Sequence, residues 1–139
     1  MIAFHELKDV DVESVVSLWK RCELTREWND PYKDIKFARE GETSTVLVGI
    51  IKERVVATVM VGHDGHRGVL YYLAVDPVFQ KLGLGKAAVT AAESWLKQRG
   101  VWKVNLMVRS ENEKAGRFYE HMGYEINPVV SFGKRLDGR

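Results

Sequence analysis

The run Gln80-Lys81-Leu82-Gly83-Leu84-Gly85-Lys86 collects the groups best suited to chemistry in this chain. An apolar stretch, Val69 to Val75, precedes it and closes on Asp76-Pro77. An alanine-rich helical stretch, Lys86 to Arg99, follows. A strand, a glycine loop and a helix start in that order make an anion pocket. Glycine lets the backbone approach a ligand and take turn angles other residues resist. The first helical N–H groups lack partners and carry partial positive charge, which suits phosphate oxygens. The sequence therefore points to a phosphate-bearing small molecule. Further along, Tyr119 offers a phenol and Asn112 an amide.

The elements around these residues follow from pattern. Ile2 to His5 reads as a short first strand. Asp9 or Asp11 starts a helix in which Val12, Val15, Val16, Trp19 and Cys22 recur at helical spacing. Asp30-Pro31 reads as the cap and first turn of a second helix ending near Gly41. Thr45 to Ile51 and Val55 to Val61 form a predicted hairpin, and the turn Asp64 to Gly68 returns the chain into Val69 to Val75. After the long helix and Gly100, Val101 to Val108 is a further predicted strand. Asn112 to Met122 reads as the last helix, and Tyr124 to Ile126 and Val129 to Phe132 as final short strands. The fold class expected is α/β: a mixed, mostly antiparallel sheet with a central βαβ crossover and helices on both faces.

Known phosphate motifs fit the loop unequally. A Walker loop needs G-x-x-x-x-G-K-[ST], but position 80 is Gln and position 87 is Ala. Gly83, Gly85 and Ala88 match a dinucleotide fingerprint formally, yet they come after three predicted strands rather than opening a doubly wound domain.

The stretch Leu73-Ala74-Val75-Asp76-Pro77 through Gln80-Lys81-Leu82-Gly83-Leu84-Gly85 resembles motif A of the GNAT acetyltransferases, with its Q/R-x-x-G-x-G/A core. A second block, Asn112, Ala115, Phe118-Tyr119-Glu120 and Gly123-Tyr124, resembles that family's N-x-x-A-x-x-F-Y-E-x-x-G-[FY] pattern. The order of elements agrees, so the resemblance covers essentially the whole chain. Trp28 to Pro31, the Asp64 to Gly68 turn with Tyr71-Tyr72, and the Ser131…Gly133-Lys134-Arg135-Leu136 end resemble the small bacterial branch called YpeA.

The resemblance implies acetyl-CoA as acyl donor and an N-acetyltransferase that works by direct amine attack on the thioester. The acceptor is a small-molecule amine or a protein or peptide N-terminus. A non-catalytic acyl-CoA-binding module is the alternative. Backbone N–H groups of Leu82, Gly83, Leu84, Gly85 and Lys86 would hold the pyrophosphate, with Gln80 and Lys81 shaping the loop. Lys81 and Lys86 either pair with phosphates or are solvated. Leu73 and Val75 share one side of their strand. By the resemblance the pantetheine arm pairs with this strand, and Val75 or a neighbour offers its N–H to the thioester oxygen. Tyr119 matches the family's proton-donor tyrosine, or packs over the cofactor. Asn112 bonds the pantetheine arm, or caps the last helix. Tyr71 and Tyr72 stand where many members carry a glutamate base, which leaves Glu23, Asp30, Asp64, His66 and Glu111 as candidates. Trp28, Tyr71 and Tyr72 are candidates for an acceptor wall, and Trp19 for the core. His63-Asp64…His66 has too few convergent ligands for a metal, and none is expected.

Bulk properties narrow the class. At 139 residues the chain suits one domain, 1–139. A net charge of +2 with mixed signs does not argue for nucleic acid. No segment approaches the ~18 apolar residues that would cross a membrane. A lone cysteine, Cys22, and an N-terminus with early acids and no apolar run suit a reducing cytoplasm. A homodimer is one option for assembly.

Overall fold

The computed structural model describes residues 2–138. They pack as two compact units, one running to Leu106 and one from Met107 onward. The larger unit is built on a five-stranded sheet in the order β1-β2-β3-β4-β5. β1 (Phe4–Glu6) leads through one 3₁₀ turn, Asp9–Asp11, into α1 (Val12–Arg21). Asp11 closes that turn, accepting the Lys8 N–H at 3.0 Å. Asp30 caps α2 (Pro31–Glu40), accepting the Tyr32 N–H at 2.9 Å and the Lys33 N–H at 3.4 Å, as the Asp-Pro pair predicts.

β2 (Ser44–Ile51) and β3 (Arg54–His63) form the expected hairpin. Its two turn residues, Lys52 and Glu53, take φ of 49° and 66°, the left-handed pair that suits the twist of a tight hairpin. Asp64 then shapes the next turn, its Oδ1 accepting from His66 N–H at 2.8 Å and Arg67 N–H at 2.7 Å. β4 (Gly68–Val75) pairs antiparallel with β3. α3 (Leu84–Lys97) crosses over to β5 (Val104–Asn105), which pairs parallel with the start of β4. Gly68 makes the close approach of α3 feasible, since a Cβ there would stand 2.5 Å from Leu96 Cδ1.

The sheet is covered on both faces. On one, Val15, Leu18 and Trp19 of α1 and Ile35 and Ala38 of α2 bury Val46, Val48, Val55 and Ala74. On the other, Leu84 of α3 packs with Val56 and Ala57, flanked by Phe4, Val75 and Phe79. Trp19 is fully buried, in line with its helical spacing.

The smaller unit contains α4 (Glu113–His121). Among the described residues it forms no strand, so Tyr124–Ile126 and Val129–Phe132 are not the strands their composition suggests. Local bonding explains both. The Tyr124 N–H is taken by Tyr119 O at 3.0 Å, beyond Gly123 at φ 92°, which ends the helix in a left-handed cap. The Val129 N–H folds back on Asn127 O at 2.9 Å around Pro128, which has no N–H to give a ladder. The strand expected at Val101–Val108 shrinks to two paired residues for a similar reason. The Val101 N–H bonds Leu96 O at 3.1 Å past Gly100, so α3's cap consumes it.

Candidate active site

The glycine loop joins β4 to α3 as the sequence predicts. Asp76 starts a 3₁₀ turn, Pro77–Phe79, by accepting the Val78 N–H at 3.0 Å. Gln80 and Lys81 follow, exposed, with Lys81 at φ 66°. The Gln80 Nε2 donates to Val75 O at 3.4 Å and so ties the loop back to the strand. Gly83 stands at the N-cap of α3 with φ 77°, and no heavy atom lies within 4 Å of where its Cβ would be. That is an open cradle which any side chain would fill. No side chain caps α3 and no acid sits in its first turn, so the amides of Leu84, Gly85 and Lys86 face an uncompensated positive helix end. Leu82 and Lys86 are exposed, and Leu84 is buried as the anchor of the turn.

β4 carries a feature that sequence reasoning missed. Thr58 pairs with Ala74 and Met60 with Tyr71, so Tyr72 and Leu73 both lie opposite Val59. This is a β-bulge, and Tyr72 takes φ 50° within it. Two backbone hydrogen bonds show its effect. Gly68 N–H donates toward β5, to Lys103 O at 2.8 Å, while Asp76 N–H donates toward β3, to Val56 O at 2.8 Å. In a regular strand residues at even separation face the same way. The bulge inverts that parity, so the Val75 and Leu73 N–H groups turn to the edge away from β3. β5 pairs with that edge only at Gly68 and Val69, so among the described residues no strand pairs with the remainder of β4. The two residues picked out for the acyl-carrying arm therefore present donors at an unpaired sheet edge, next to the glycine loop.

The bulge is held from the α1 and α2 side. The Tyr72 ring stacks on Trp19 with centroids 3.7 Å apart and planes 8° from parallel. The Tyr72 hydroxyl donates to Asp34 Oδ2 at 2.6 Å. Burial first, then this bond and the Asp34 charge, push the phenol above its ordinary pKa. Trp19 Nε1 donates to Thr58 Oγ1 at 2.9 Å, and that hydroxyl donates to Tyr72 O at 3.0 Å. Neither Asp34 nor Thr58 carries a local sequence signal, since both partners are remote in the chain.

A second missed cluster lies at the root of the loop. Asp76 is 1% exposed, and its Oδ2 accepts from Arg21 and from Arg54, each at 2.9 Å. Burial pushes this carboxyl upward, but the Val78 N–H and the two guanidinium groups outweigh it and hold the group below the usual carboxylate range. Cys22 donates its thiol to Val75 O at 3.4 Å, and burial raises its pKa.

The remaining candidates divide clearly. Asp30 and Asp64 are occupied as cap and turn residues, and hydrogen bonds from Arg67 and His66 amides hold Asp64 below the usual range. Glu23, His66 and Glu111 are exposed. Trp28 and Tyr71 are also exposed. In the smaller unit Asn112 caps α4, its Oδ1 accepting the Ala115 N–H at 3.1 Å. Tyr119 is half-buried between Phe118 and Tyr124, both edge-on, at 5.0 and 5.6 Å. Burial raises its phenol pKa.

A strand that opens beside a glycine loop, in this order of elements, agrees with the match of the Acetyltransferase (GNAT) family profile to residues 12–124. The chain belongs to this family. Solved structures share the GNAT fold at low identity. Aminoglycoside acetyltransferase AAC(6')-Iy, solved with the bisubstrate analog CoA-S-monomethyl-acetylneamine, superposes at TM-score 0.83 with 15% identity, covering 98% of this chain and 99% of that one. Glucosamine-6-phosphate N-acetyltransferase from Arabidopsis thaliana gives 0.76 and 22%, covering 99% of both chains. Ribosomal-protein-S18-alanine N-acetyltransferase from Escherichia coli gives 0.76 and 24%, covering 100% of this chain and 88% of that one. Among the described residues no helix is long and apolar enough to cross a membrane.

Proposed function

We propose that this GNAT-family chain is an acetyl-CoA-dependent N-acetyltransferase, acting as one domain over residues 1–139 on a primary amine. The open edge of β4 beside an uncapped, glycine-led helix start carries the reading. The amides of Leu84 to Lys86 suit the pyrophosphate of coenzyme A, with Gln80 bracing the loop. The outward Val75 N–H, or that of Leu73, suits the thioester oxygen, where negative charge develops as the amine attacks. Tyr119 has a phenol that burial keeps protonated at neutral pH, so it suits proton donation to the departing thiolate.

The named activities of similar folds span aminoglycosides, glucosamine 6-phosphate and a ribosomal-protein alanine. They support an amine acceptor and leave its class open between small molecule and peptide. The Trp28 to Pro31 segment and the Ser131 to Leu136 end support the YpeA-type branch. A lone half-buried cysteine supports a cytoplasmic setting.

The test is a melting curve with acetyl-CoA, coenzyme A, ATP and NADPH at matched concentrations. A ligand at ~100 Kd adds ~2.7 kcal/mol. A rise with the two coenzyme A species alone is expected, and a rise with ATP or NADPH, or none, overturns the reading. Tyr119→Phe is expected to lower turnover while leaving acetyl-CoA affinity nearly unchanged. Full turnover in that variant removes Tyr119 from the chemistry.

A further inference from the structure

The bulge in β4 has a cost and a purpose. Tyr72 sits in the left-handed region, which is unfavourable for a bulky residue. The same distortion takes the Tyr72 carbonyl out of the β3 ladder, and a buried carbonyl without a donor is unfavourable. The fully buried Thr58 supplies that donor from the facing strand. Its own hydroxyl oxygen is satisfied by Trp19 Nε1, whose ring stacks on Tyr72. The circuit Trp19–Thr58–Tyr72 is closed and leaves none of its three polar groups without a partner.

We propose that Thr58 is a positioning residue for acyl-group recognition: its hydroxyl holds the Tyr72 carbonyl out of the ladder and thereby turns the Leu73 and Val75 amides to the open edge. Thr58 acts through the backbone of β4, and its Trp19 and Tyr72 bonds already occupy its hydroxyl. The inference rests on the proposed function for the identity of the ligand, and on the bulge alone for the geometry.

Two readouts keep these apart. Amide exchange followed by NMR reads the geometry without any ligand. In the wild type Leu73 and Val75 are expected to exchange faster than the ladder-facing Ala74 and Asp76. Thr58→Val removes the hydroxyl at constant shape and is expected to shrink that contrast at least about tenfold, while Thr58→Ser retains it. Calorimetric titration then reads recognition. Thr58→Val is expected to weaken acetyl-CoA about fivefold, the worth of one hydrogen bond. The pantetheine-free half of that ligand, 3′-phospho-ADP, should change by less than about twofold, because the glycine loop is untouched. Thr58→Ala carries the same expectations should the valine variant fold poorly. An unchanged exchange contrast in the valine and alanine variants overturns the proposal. So does an equal loss of both ligands, or a serine variant as impaired as valine, since each describes a residue that only supports packing. Failure of the wild type to bind acetyl-CoA overturns the proposed function itself, and the recognition role of Thr58 with it, whatever the exchange pattern shows.

Discussion

Replacing Asp76 with Asn tests whether a buried charge fastens the root of the glycine loop. The substitution keeps Oδ1 to accept the Val78 N–H, so the cap of the 3₁₀ turn survives, while Oδ2 becomes an NH2 that can no longer accept from either guanidinium group and the charge is lost. That charge meets two guanidinium groups at 2.9 Å each, from Arg21 at the end of α1 and Arg54 at the start of β3. Hydrogen bonds to charged groups contribute about 1.5–3 kcal/mol each, against about 1 for neutral ones. Both arginines are roughly half exposed, at 41% and 54%, so water and salt screen the pair. The expected loss is about 2 kcal/mol, or about 6–8 °C for a domain of this size. Asp76→Ala forfeits the cap as well and is expected to lose about 1 kcal/mol more. Urea unfolding at fixed pH is the assay. Because the folded carboxyl is held low, its contribution is present above the unfolded pKa of about 3.9 and is lost as pH falls through the folded value. The gap between wild type and Asp76→Asn should be flat from about pH 5 to 8 and close below about pH 4. A gap under about 0.5 kcal/mol at pH 7, the size of an ordinary surface change, refutes the fastening role. A gap that widens on acidification refutes the sign.

Tyr72→Phe keeps the stack on Trp19 and loses the bond to Asp34, so thermal denaturation should show a loss of about 1–2 kcal/mol. Ultraviolet titration should find that the phenol this variant lacks ionises later than a free tyrosine, because burial and Asp34 both hold its proton. Gly83→Glu sets an anion where phosphate is expected and a side chain where φ is 77°. Calorimetry should then find coenzyme A binding abolished, and tight binding by that variant would remove the loop assignment.

What the sequence disclosed was local. Asp30-Pro31, Asn112, Gly100 and Gly123 announce helix ends because a cap is decided within four or five residues. The glycine loop was legible for the same reason. The expected strands at Tyr124–Ile126 and Val129–Phe132 failed because β-branched composition records preference for a strand, not whether an amide is free to join one. There the Gly123 cap and the turn around Pro128 had already claimed the amides. The bulge, the Thr58 bond and the Arg21–Asp76–Arg54 cluster were illegible because each joins residues far apart in the chain. Asp76-Pro77 looked like a simple strand terminus, and only the packed structure reveals that α1 and the β2–β3 hairpin both converge on it.

The two tyrosines that stand, on the family resemblance, where a glutamate base was expected can now be weighed physically. Tyr72 is spent on architecture: its ring packs on α1, its hydroxyl binds α2, and its carbonyl binds β3. A phenol whose proton is held this firmly does not relieve an ammonium of its own near neutral pH. Tyr71 is exposed and offers no carboxylate either. Under the proposed function, β4 therefore contributes donors to the acyl group and no acceptor for the amine's proton. The amines best suited to such a site are those already partly neutral near pH 7.5. An α-amino group, with a pKa of about 7.7–8.0, meets that condition, whereas a lysine-type amine at about 10.4 does not. The pH–rate profile over an acceptor panel separates the two. Rates that follow the acceptor's own pKa fit a site with no base on β4, and a shared acid limb for every acceptor places a base on another element.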